Sequence, residues 1–147
     1  MYNELEERLS GGHPYVCAVR GKSMLPFLRE GIDHVDIRPI TKTPKKNDVV
    51  FYKRKNGQYV LHRLVSCRNG YYVMRGDNQY KNEYGITRDT CIGILHGFWK
   101  DAGTSKEKYI SVCSFSYKFT TTLWFLCYPL RSMIRYIYAI IIAILKK

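Results

Sequence analysis

Three short segments hold residue types that could do chemistry together. Ser23 stands in Gly21-Lys22-Ser23, a glycine turn. His62 stands in Tyr59-Val60-Leu61-His62-Arg63-Leu64-Val65, where strand alternation puts Val60, His62 and Leu64 on one face. Asp77 stands in Gly76-Asp77-Asn78. A serine hydroxyl needs a base within hydrogen-bond reach to become a nucleophile at neutral pH. Neutral imidazole is the natural base, and a carboxylate can orient its ring. Each segment also has a plainer reading. Gly-Lys-Ser ends a phosphate-binding loop only when a glycine stands five positions before Gly21, and Val16 is there instead. A lone histidine on an apolar strand face is ordinarily a hydrogen-bonded core residue. Gly-Asp-Asn is ordinarily a turn that ends a strand.

Strands and turns must bring these segments together. Asn3, Glu4, Glu6 and Glu7, interleaved with Leu5 and Leu9, read as a short capped helix that Gly11-Gly12-His13-Pro14 ends. Tyr15 to Val19 and His34 to Arg38 read as strands, and residues 41–48 as a basic loop. Asp48 to Lys53 is a strong strand, Lys55-Asn56-Gly57 a hairpin turn, and Gln58 to Val65 the strand that pairs back. Asn69-Gly70 turns into Tyr71 to Arg75. Residues 79–88 read as a polar loop, and Thr90 to Trp99 as a further strand. The expected fold is mainly β: an antiparallel domain over residues 1–116, with a short N-terminal helix, followed by a C-terminal helical segment over 117–147.

That tail differs in character. Leu123 to Leu145 is almost wholly apolar and reads as one helix, with Arg131 and Arg135 inside it. At about 100° per residue, Tyr128, Arg131, Arg135, Tyr138 and Lys146 fall on one stripe, which Ile142 interrupts, and apolar residues fill the rest. A charged residue at the centre of a bilayer costs roughly 2.5–3.5 kcal/mol on insertion scales. The pattern therefore favours a helix lying in a membrane interface over one packed on the domain.

The chain has 147 residues, with 24 Lys and Arg against 12 Asp and Glu, a formal net charge of +12. Such a balance calls for an anionic partner, nucleic acid or a membrane surface. The basic residues are spread through loops and tail without a recognition-helix pattern, so no nucleic acid is expected. Five cysteines, an odd number with no C-x-x-C spacing, argue against a disulfide framework or a cysteine zinc site. No metal or organic cofactor is expected. Residues 1–10 carry acids and no apolar run, so no export signal is expected there.

In order, the chemical segments resemble the boxes of type I signal peptidases and their relatives. Gly21-Lys22-Ser23-Met24-Leu25-Pro26-Phe27-Leu28 resembles the Ser-Met-x-Pro-x-Leu box. Asn47-Asp48-Val49-Val50-Phe51 resembles the second box, usually Gly-Asp-Val-Val. Leu61-His62-Arg63-Leu64-Val65 resembles the box of the general base, and Met74-Arg75-Gly76-Asp77-Asn78 the Gly-Asp-Asn box. The likeness covers residues 21–95, and His62 in the base box resembles the archaeal and endoplasmic-reticulum branch rather than the lysine branch. The resemblance implies the β fold shared by signal peptidases and self-cleaving SOS repressors. It implies Ser23 as nucleophile, His62 as base and the Ser23 backbone N–H as oxyanion donor, with Met24 and Pro26 shaping the turn and cleft. It implies Asp77 as the supporting acid, with Glu83 second, and sets Asp89 on the final strand.

The expected activity is that of a serine endopeptidase cutting leader or signal segments of peptides or preproteins. Its expected partners are that substrate and membrane lipid, at the cytoplasmic face. The competing readings are a catalytically inactive membrane-bound binding module and, further off, a basic nucleic-acid-binding β domain.

Overall fold

The computed structural model describes residues 2–145. They form two compact units, one ending at Val112 and one starting at Cys113. The division falls four residues before the 116/117 boundary expected from the sequence.

The first unit is mainly antiparallel β-sheet with a short N-terminal helix. Helix α1 runs Tyr2–Ser10, with Asn3 as its second residue. Its Leu5 and Leu9 are buried, and Gly12 ends it in the left-handed conformation at φ 84°. Eight strands follow: β1 Tyr15–Ala18, β2 His34–Pro39, β3 Val49–Lys53, β4 Tyr59–Arg68, β5 Tyr71–Arg75, β6 Glu83–Ile86, β7 Cys91–Lys100 and β8 Lys108–Ser111. The spatial order is β1-β2-β7-β3-β4-β5-β6, with β8 paired to β7. The polar text of 79–88 hides β6, and β8 also goes beyond the sequence reading.

Hairpin β3–β4 sets the core register. Val50 faces His62 and Tyr52 faces Val60. Val50, Tyr52, Val60, Leu64, Tyr72, Met74 and Ile86 form one buried cluster. Bulges at Leu64/Ser66 in β4 and Phe51/Tyr52 in β3 let these strands bend around it. Strand β7 passes close beneath its neighbours. A Cβ on Gly93 would lie 2.5 Å from Ile37 Cγ2, and one on Gly97 would lie 2.1 Å from the Tyr109 hydroxyl.

The loop between β1 and β2 is closed on itself by Val19 and Asp33. The Val19 amide donates to the Asp33 carbonyl, and Gly31 donates back to Val19. The Asp33 carboxylate is fully buried. It accepts from the Arg29 amide and guanidinium, Lys100 Nζ and the Asp101 amide. Lys100 also donates to the Phe27 carbonyl at 2.6 Å. One buried carboxylate thus fastens the loop that carries Ser23 to the end of β7.

The second unit begins with α2, Phe115–Leu126, whose N-cap Ser114 Oγ accepts from the Tyr117 amide. The expected single helix from Leu123 is broken. Pro129 lacks an N–H and disfavours helical backbone just before it, so α2 stops and α3 runs Tyr128–Leu145. Arg131 lies over the Trp124 ring with its guanidinium carbon 3.3 Å from the centroid. None of α3 is buried, and it is long and apolar enough to cross a membrane. Its 18 residues reach about 27 Å. This points to membrane association.

Burial alone would raise the Asp33 carboxyl, but the bonds from Arg29 and Lys100 outweigh it and hold it down at about 2. The folded value lies below the ordinary 3.8, so the cluster stabilises fully above about pH 4 and loses this contribution as pH falls toward 2. Asp33→Asn should cost about 3 kcal/mol at pH 7 in urea unfolding. The gap from wild type should shrink as the pH is lowered from 5 to 2. A gap that is absent at pH 7 or constant with pH contradicts this.

Candidate active site

Ser23 follows β1 in a turn that Gly21 allows with φ 80°. The Gly21 amide donates to Glu30 Oε1 at 2.8 Å. Gly76-Asp77-Asn78 comes against this turn from the end of β5. The Asn78 amide donates to the Ser23 carbonyl at 2.8 Å, and Asn78 Nδ2 to the Lys22 carbonyl at 3.2 Å. Position 76 must be glycine for a steric reason. A Cβ there would lie 2.6 Å from the Ser23 carbonyl oxygen and 3.0 Å from Ser23 Cβ.

The Asp77 side chain does not orient the imidazole. It is buried and takes a two-pronged bond from Arg63 Nε at 2.8 Å and Nη2 at 2.7 Å. Arg63 Nη1 goes on to the Asn47 carbonyl at 2.7 Å. Alternation along β4 explains the division of labour: His62 and Arg63 are adjacent and face opposite sides of the strand. Asp77 therefore ties the Gly-Asp-Asn turn to β4 and to the Asn47-Asp48 turn before β3. It supports the site through the backbone.

The acid on the imidazole side is Glu83. His62 is buried, and its Nδ1 lies 3.2 Å from the Tyr52 hydroxyl. Tyr52 in turn donates to Glu83 Oε2 at 2.7 Å, and Glu83 Oε2 lies 3.8 Å from His62 Nδ1. Arg54 holds both Glu83 oxygens, Nε on Oε1 at 2.7 Å and Nη2 on Oε2 at 2.5 Å. The Arg54 bonds keep the Glu83 carboxyl below its usual range, so it is an acceptor only. Burial and the anionic neighbour push the Tyr52 phenol well above its usual value. Its one proton goes to Glu83. The Tyr52 oxygen must then accept from His62, which places the proton on Nδ1 and leaves the Nε2 lone pair open. Burial lowers the His62 ring to about 4, against a partial counter-pull from Glu83. The ring is neutral at pH 7.

Ser23 and His62 line one cleft of about 800 Å³, whose walls include Met24, Leu28, Ile37 and Phe51. No hydrogen bond joins Ser23 Oγ to His62 among the described residues. Such bonds often tighten only when substrate is present. Pro26 is exposed, follows a cis peptide bond from Leu25, and lies outside the cleft lining. Asp89 lies in the short turn Arg88–Thr90 before β7 and faces a different hollow.

No family model, curated protein or solved structure matches this chain. The site therefore rests on its own geometry.

Tyr52 and Arg54 were missed in the sequence. The signal for Tyr52 was the hairpin itself. With Lys55-Asn56-Gly57 as the turn, Tyr52 falls diagonally across from His62 on the same face.

Gly76→Ala forces the Ser23 carbonyl aside. It should cost about 1–3 kcal/mol in thermal or urea unfolding. An alanine variant as stable as wild type would show that the turn is not packed as described.

Proposed function

We propose that the protein is a serine endopeptidase of the signal-peptidase-like type, cutting leader or signal segments from peptides or preproteins. One observation carries the reading. A serine and a buried neutral histidine share a cleft, and the histidine's far nitrogen is already committed to Tyr52 and Glu83. A structural core histidine needs no open lone pair toward a cleft.

Ser23 Oγ attacks the peptide carbonyl carbon while His62 Nε2 takes the hydroxyl proton. The carbonyl oxygen becomes an oxyanion. The Ser23 backbone N–H, which has no partner among the described residues, is available to it. The C–N bond breaks as His62 returns the proton to the leaving amine. Water then attacks the acyl-serine and gives its proton to His62, which passes it to Ser23 Oγ as the C–O bond breaks, releasing the acid and restoring free Ser23 and neutral His62. While His62 is cationic, its Nδ1–H donates to Tyr52, whose own proton points to anionic Glu83. Tyr52 is thus a positioning residue that carries the carboxylate's influence across one hydroxyl.

The C-terminal helix would hold the peptidase at a membrane. Its arginines and the +12 charge favour the cytoplasmic face, with its anionic lipids.

A library of leader peptides with small residues before the cut tests the activity in mild detergent. Ser23→Ala and His62→Ala should each lose at least about 100-fold in kcat. For wild type, kcat/KM should rise as pH passes through about 4 and be level by neutrality, because only neutral His62 accepts a proton. Tyr52→Phe should lower kcat by about tenfold at unchanged KM, since it frees the ring to adopt the other tautomer. Folded wild type that is as silent as both variants would point to an inactive binding module.

A further inference from the structure

The charge pattern of the cleft singles out a class of substrate. Its lining holds the cations Arg20, Lys22 and Arg54 and no Asp or Glu. Arg54 is neutralised by Glu83. Arg20 and Lys22 flank Gly21 on the segment that leads into Ser23, and both are exposed. Neither side chain has an ion-pair or hydrogen-bond partner among the described residues. Glu30 reaches this turn to accept from the Gly21 amide, but it lies outside the cleft lining. With Glu30 counted, one unit of positive charge is still left over beside the nucleophile.

Several cations elsewhere in the first unit are held in ion pairs. Lys53 pairs with Glu6, Arg63 with Asp77, and Arg29 and Lys100 with Asp33. Lys22 is next to Ser23 in the chain, with Cα atoms about 3.8 Å apart. An extended peptide advances about 3.3 Å per residue. Side chains as long as Lys and Arg therefore reach residues close to any bond presented to Ser23. A peptide filling the cleft would also displace water, which strengthens an ion pair there.

We propose that this cleft selects peptides carrying Asp or Glu within about two positions of the cut bond, held by Arg20 and Lys22. The position of the cut rests on the peptidase reading. The preference for an acidic peptide does not need it.

The test separates the two. Full-length Ser23→Ala in a nonionic detergent is titrated with fluorescent peptides identical except for Glu, Gln or Lys beside a small residue. Fluorescence anisotropy should give a Kd about five- to tenfold lower for the Glu peptide than for the Gln peptide, and weaker binding again for Lys. The gap should narrow with added salt. Adding Arg20→Gln and Lys22→Gln should abolish it, with folding checked by circular dichroism. Adding Lys42→Gln and Lys46→Gln, exposed cations outside the cleft, should leave it intact. Equal Kd values for the three peptides, or a gap that survives loss of Arg20 and Lys22, overturn the proposal. Wild type is assayed for cleavage of the same peptides. Glu-selective binding without cleavage would overturn the peptidase reading and leave this one standing. Cleavage without charge selectivity would do the reverse.

Discussion

Burying an imidazole in its neutral form requires that one ring nitrogen be satisfied inside the protein, and here Tyr52 meets that requirement. The hydroxyl has a single proton. Because the proton is drawn to Glu83 Oε2, the oxygen is left as an acceptor for His62 Nδ1. Glu83 in turn stays ionised because Arg54 grips both of its oxygens. The chain from Arg54 to His62 spans β3, β4 and β6, so the register of these strands is also the register of the site. A one-residue slip between β3 and β4 would send Tyr52 to the opposite face and leave a buried ring without a partner.

A buried carboxylate fixes the other half. Asp77 and Arg63 lock the Gly-Asp-Asn turn to β4, and the turn's backbone holds the Ser23 carbonyl. Asp33 closes the nucleophile loop from the far side. Ser23 is therefore positioned through backbone contacts, and His62 through a side-chain network. Two acids with different tasks sit on opposite sides of one strand.

The β character was legible because alternation and Asn-Gly turns act locally: Asn69 and Gly70 both take positive φ, as such a hairpin turn needs. Ser23 and His62 lining one cleft, and Gly76-Asp77-Asn78 lying against Ser23, follow the segments singled out in the sequence. The task of Asp77 was not legible, since whether an acid meets Arg63 or His62 depends on which strand face it approaches. Tyr52 reads as one more core aromatic until the hairpin register is known. Strand β6 has no apolar run because only Ile86 of its residues is buried. The break before α3 was written in Pro129 but masked by the apolar run around it.

The state of the His62 ring bears most directly on the account. Nitrogen-15 NMR of the histidine side chains, followed over pH, resolves both tautomer and titration, and the chain has only four histidines. His62→Gln assigns the signal. The ring should be protonated on Nδ1 at neutral pH and gain its second proton near pH 4. A ring protonated on Nε2, or one titrating near 6.5 as an exposed histidine does, would contradict it.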